Sequence, residues 1–113
     1  MTHPRELEDD EMIEIAKQME EKTPFDDTRA FFKLYNTAKG AVFYFMNDER
    51  SKTLFCSFDL VMSNLYIAGE PDGATKFEFK LPAGQSTVKM LKTVKEGEHT
   101  NLQMRYEYYL EDV

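Results

Sequence analysis

The sequence predicts an all-β protein, an antiparallel β-sandwich of about seven to eight strands with a short α-helix at its N-terminal end. Three observations carry this. Apolar and polar residues alternate along the last third of the chain. Turn residues recur at short intervals, and helical periodicity is confined to the N-terminal segment. Alternation with period two is what a half-buried antiparallel strand requires.

The helix is expected over residues 6–21, where Met12, Ile15, Ala16 and Met19 fall at i, i+3, i+4 and i+7 as one stripe. Acids crowd its first turns, where the helix dipole favours negative charge, and Lys22 follows its end. Pro24 stops it. From Thr28 onward, strands are expected at 30–35, 41–46, 53–58, 60–67, 76–81, 87–94 and 100–110. Breaks are expected at 36–40, 47–52, 69–75, 82–86 and 95–99. In 76–81, Phe77, Phe79 and Leu81 point one way, and Lys76, Glu78 and Lys80 the other. In 101–110, Leu102, Met104, Tyr106, Tyr108 and Leu110 share a face, opposite Asn101, Gln103, Arg105, Glu107 and Tyr109. Pro82 fixes φ for the turn between two of these strands, and Gly84 relieves its exit.

The 113 residues suit one domain, with 42% hydrophobic and 13% aromatic residues to fill a core. The charge is uneven. Residues 1–27 hold three basic residues against ten acids, a net −7 that equals the formal charge of the whole chain. The chain therefore divides into an acidic helical segment, 1–27, and a neutral sandwich, 28–113. Such a balance is a poor match for nucleic acid or an anionic membrane. No apolar run approaches the ~18–20 residues of a membrane span. The acidic start predicts no cleavable leader, and Thr2 stands where a myristoylation signal needs glycine. One cysteine, Cys56, allows no internal disulfide, and a cytoplasmic setting is expected.

No reaction centre is legible. Cys56 sits within a predicted strand with no glycine-rich flank or helix start to activate it, while His3 and His99 are far away in sequence. The acids Asp9, Asp10 and Glu11, Asp26 and Asp27, Asp48 and Glu49, and Glu70 and Asp72 lack the spacing of a calcium loop. No catalytic residue, metal ligand or cofactor site is therefore assigned. The expected partner-binding residues are Glu8, Asp9, Asp10, Glu11, Met12, Ile15 and Met19, an acidic helix start beside an apolar stripe that packs either on its own domain or on a partner.

One resemblance adds to this. Residues 47–112 include Asn64-Leu65 within a strand, then Leu81-Pro-Ala-Gly-Gln-Ser-Thr-Val-Lys-Met-Leu-Lys after a turn, and a Tyr-rich closing strand over 103–109. These features resemble the C2-like β-sandwich of calpains, their domain III. The protease core and EF-hands of those enzymes have no counterpart in this sequence. The resemblance implies a C2-like, calpain-like module without catalysis, serving as a small subunit of a larger cytoskeletal or ciliary assembly of proteins. Members of this kind that anchor by myristate need glycine where Thr2 stands, so no stable membrane anchor is expected, and no small-molecule substrate is expected either. The alternative it carries is a calcium- or lipid-responsive adaptor that regulates a calpain-like protease.

Overall fold

The computed structural model describes residues 8–112. Its elements run α1 (Asp9–Gln18), β1 (Thr23–Pro24), β2 (Ala30–Thr37), β3 (Gly40–Asn47), β4 (Lys52–Ser63), β5 (Leu65–Ile67), β6 (Lys76–Leu81), β7 (Ser86–Thr93) and β8 (Asn101–Asp112). The strands form two antiparallel sheets, one of five in the order β1-β2-β3-β7-β5 and one of three in the order β6-β4-β8. The all-β sandwich expected from the alternation is the fold. From β3 onward, every connection passes from one sheet to the other.

The core fills the space between the sheets because each strand sends alternate residues inward. β4 contributes Leu54, Cys56, Phe58 and Leu60, all buried. Phe32, Phe43, Phe45, Ile67 and Leu91 meet them from the five-stranded sheet. Phe58 lies at the centre. Its ring stacks between Phe77 at 5.1 Å and Tyr106 at 4.9 Å, its register partners on β6 and β8. The same ring meets Phe32, Phe43 and Phe45 across the sandwich, edge to face. β3 is buried on both faces because α1 covers its outer side, where Val42 lies under Met12 and Ala16.

The structure departs from the sequence expectations in places with physical causes. The helix is shorter than 6–21. Residues 6 and 7 lie outside the described residues, and at the other end Met19 turns extended, with φ −60° and ψ 137°. The chain leaves the helix there to pair Thr23 and Pro24 with Phe32 and Phe31. Lys33 Nζ donates to the Lys17 carbonyl at 2.6 Å and so satisfies one of the helix's terminal acceptors.

The strands expected at 53–58 and 60–67 are divided differently. β4 runs unbroken through Asp59, whose carboxylate faces outward between Lys76 at 3.9 Å and Arg105 at 4.0 Å. Both are its cross-strand neighbours, so an acid is accommodated in mid-strand. The break falls instead at Asn64, which adopts φ 61° and bonds through its side chain to the Lys95 and Glu98 carbonyls. That corner carries the chain from one sheet to the other, so Asn64 and Leu65 do not share a strand. The Pro82 to Gly84 turn is where the sequence places it, closed by Gln85 N–H donating to the Pro82 carbonyl at 3.1 Å. It joins strands of different sheets rather than a hairpin pair. Beside it, buried Asn47 donates from Nδ2 to the Lys52 and Leu81 carbonyls at 2.9 and 2.7 Å, tying one end of the two sheets together.

Candidate functional site

The candidate chemistry resolves first. Cys56 is fully buried on β4, with Phe79 and Tyr108 as its register neighbours, and burial pushes its thiol up to about 12. A group held neutral so far above physiological pH supplies no thiolate nucleophile. His99 is exposed in the loop between β7 and β8, and His3 lies outside the described residues. Alkylation of native Cys56 by iodoacetamide is therefore expected to be slow throughout pH 7 to pH 10, because the thiolate stays a minor species even as its share rises with pH. The denatured chain should react far faster and accelerate through pH 9. Rapid native labelling would show that the thiol is accessible.

Among the described residues, no three His, Cys, Asp or Glu side chains converge on a metal position. Several loop acids are engaged by cations or backbone. Asp48 pairs with Arg29 at 3.8 Å, and Glu49 accepts from the Arg29 backbone N–H at 3.1 Å. Glu70 pairs with Lys89 at 3.5 Å.

The expected partner residues on α1 are divided by its packing. Met12 and Ala16 are buried on the outer face of the five-stranded sheet, among Tyr35, Val42, Tyr44, Val88 and Met90. Ile13 packs with them, whereas Ile15 is 37% exposed, so the buried stripe is centred on Met12, Ile13 and Ala16. Met19 is half-buried beyond the helix end. Glu8 and Asp10 are exposed, and Glu11 is half-buried. Asp9 accepts from Lys92 Nζ at 2.9 Å, which pins the start of the helix to β7. That hydrogen bond, with the attraction of the two charges, raises the Lys92 pKa. Met12, Asp9 and the Lys17 carbonyl thus hold the helix to its own domain, and the side it leaves to solvent carries Glu8, Asp10, Glu14 and Ile15.

A second surface arises from strand order rather than from sequence pattern. A strand edge presents unpaired N–H and C=O groups, which proteins blunt by shortness, proline or lysine. β1 is two residues long and ends in Pro24. β5 is three residues long. β6 has six, with Lys76 and Lys80 on its outer face, and its flank of the sandwich is closed by Lys89, whose ammonium lies 5.7 Å from the Phe77 ring. β8 is different. It is twelve residues long, contains no Pro, Gly or Lys, and pairs in continuous register with β4 along its whole length. Among the described residues it has no other strand partner, and no backbone hydrogen bond outside that ladder reaches it. Its inward residues Leu102, Met104, Tyr106, Tyr108 and Leu110 are all half-buried, whereas Leu60, Phe58, Cys56 and Leu54, which face the last four of them on β4, are closed from solvent. The flank is capped in part by Phe25, which meets Tyr106 and Tyr108 at 5.8 and 4.8 Å, and by the Asp26 carbonyl, which accepts from the Tyr108 hydroxyl at 3.2 Å. The alternation in 101–110 exposed the face of this strand to sequence reasoning, but its place at an edge follows from strand order. No protein-family model, curated protein or solved structure matches the chain.

Proposed function

We propose that the chain is a non-catalytic interaction module, a small subunit of a larger protein assembly that receives a partner strand along β8. The observation that carries this is the twelve-residue β8 edge, bare of the devices that blunt the other three edge strands. An added strand would satisfy its outward N–H and C=O groups and cover the half-exposed rims of Leu102, Met104, Tyr106, Tyr108 and Leu110. The solvent side of α1, with Glu8, Asp10 and Glu14, supplies a separate acidic contact for a basic patch on the partner, of the kind that steers association rather than holds it. The buried, neutral thiol of Cys56 supports a role without catalysis. The sequence likeness of residues 47–112 to calpain domain III belongs to the same reading, and a cytoskeletal or ciliary setting is its extension.

The test compares affinity capture from the native cell on the wild-type chain and on a Glu107→Lys, Tyr109→Lys variant, which places two lysines on the outer face of the edge strand. The variant is expected to keep its circular dichroism, to melt only a few degrees lower for loss of the Tyr109 stack on Phe55 at 4.8 Å, and to lose the partner. Capture of the same partner by both chains would remove β8 as the docking edge.

A further inference from the structure

The β8 edge has an occupant that its own residues specify. We infer that the strand added to β8 is β8 of a second copy of this chain, paired antiparallel about a two-fold axis at Tyr106. This rests on the reading of β8 as the docking edge and goes further by naming what docks.

Register selects this occupant. In an antiparallel pair, facing residues share a side of the sheet, and opposite charges directly across stabilise while like charges oppose. With Tyr106 facing Tyr106 of the second copy, residues 101–111 of both strands are paired, nearly the full length of β8. On the inner side Met104 then faces Tyr108, and Leu102 faces Leu110, so every inner pair is apolar. On the outer side Arg105 faces Glu107, and the symmetry makes this pair twice. Gln103 faces Tyr109, and Asn101 faces Glu111, so no like charges meet. Moving the axis by one residue sets Arg105 against Arg105 or Glu107 against Glu107. Moving it to Tyr108 sets apolar Met104 against Asp112, and moving it to Met104 leaves the last part of each strand without a partner. The favoured register is thus written in β8 itself. The Arg105 side chain is 89% exposed and only 4.0 Å from Asp59, so it remains free to take a second carboxylate. The result is a continuous six-stranded sheet made from two three-stranded ones.

Sedimentation equilibrium of the purified chain tests this, with Glu107→Arg and Arg105→Glu as variants. Both positions lie on the exposed face, and circular dichroism checks that each variant folds. The wild type is expected to dimerise. Each variant alone faces like charges twice across the axis, and its dimer association constant should fall roughly tenfold or more. An equimolar mixture of the two variants restores both Arg–Glu pairs and should dimerise as heterodimers with close to wild-type affinity. So should the Arg105→Glu, Glu107→Arg double variant. A wild-type chain that stays monomeric at millimolar concentration would overturn the second copy as occupant, even if β8 still captures another protein's strand in the native cell. A dimer indifferent to both substitutions, or a mixture that fails to recover, would overturn the register.

Discussion

Replacing Phe58 by alanine is expected to cost about 3–5 kcal/mol, a large share of the ~5–15 kcal/mol that holds a typical domain folded. The ring is fully buried and stands between Phe77 and Tyr106 within its own sheet, with Phe32, Phe43 and Phe45 opposite. Truncation removes the contact shared by both sheets, and the surrounding aromatic rings are too constrained by their strands to close the space. The melting temperature should fall by roughly 10–25 °C. Val61, three residues along the same strand, is 67% exposed and serves as the control. Val61→Ala should change stability by no more than ~0.5 kcal/mol. Urea unfolding of both variants measures the difference. A loss below ~1 kcal/mol at Phe58 would mean that the inter-sheet core is not centred on that ring.

Gly40→Ala is expected to be comparably damaging for a different reason. Gly40 opens β3 with φ 142°, a conformation open to glycine and strained for other residues. A methyl group there would sit 1.9 Å from the Leu91 carbonyl oxygen on the neighbouring β7, and that obstacle is backbone held in a ladder. Relief requires β3 and β7 to separate, so a loss of roughly 3–5 kcal/mol is expected. Gly73→Ala separates strain from collision. Gly73 has φ 81°, but an added methyl would meet nothing within 4 Å, and a cost of about 1 kcal/mol is expected. Thermal melts of the pair should differ widely. Equal melting temperatures would show that the β3–β7 approach is looser than the described geometry.

Much of this fold is legible in the sequence because strand alternation is a local property. The inward row Phe77, Phe79 and Leu81 and the row from Leu102 to Leu110 follow from period two alone, and both face the core. The sheet to which each strand belongs is not local. Pro82 and Gly84 mark a turn equally well whether it joins a hairpin or crosses between sheets. Asp59 suggests a break until Lys76 and Arg105 are known to flank it, and those neighbours come from β6 and β8. Asn64, by contrast, is a polar residue that tolerates positive φ, and the corner there could have been inferred from its side-chain chemistry. On the helix, the spacing of Met12 and Ala16 marks the stripe that the structure buries. Ile13 displaces Ile15 from its expected place because the covering surface of Tyr35, Val42, Tyr44, Val88 and Met90 selects which side of the helix is closed. The same dependence hid the β8 edge, since a strand with a good alternating pattern reads alike at the centre of a sheet and at its margin.

Amide hydrogen exchange resolved by residue shows whether β8 is the docking edge. The chain alone at low concentration is compared with the assembly recovered from its native cell. In the dilute chain, alternate β8 amides, those pointing away from β4, should exchange quickly while their neighbours are protected by the β4 ladder. In the assembly the fast set between Asn101 and Asp112 should become protected, with little change elsewhere in the sandwich. Protection gained on the outer side of α1 while the β8 edge continues to exchange freely would show that the partner docks on the helix and not on β8.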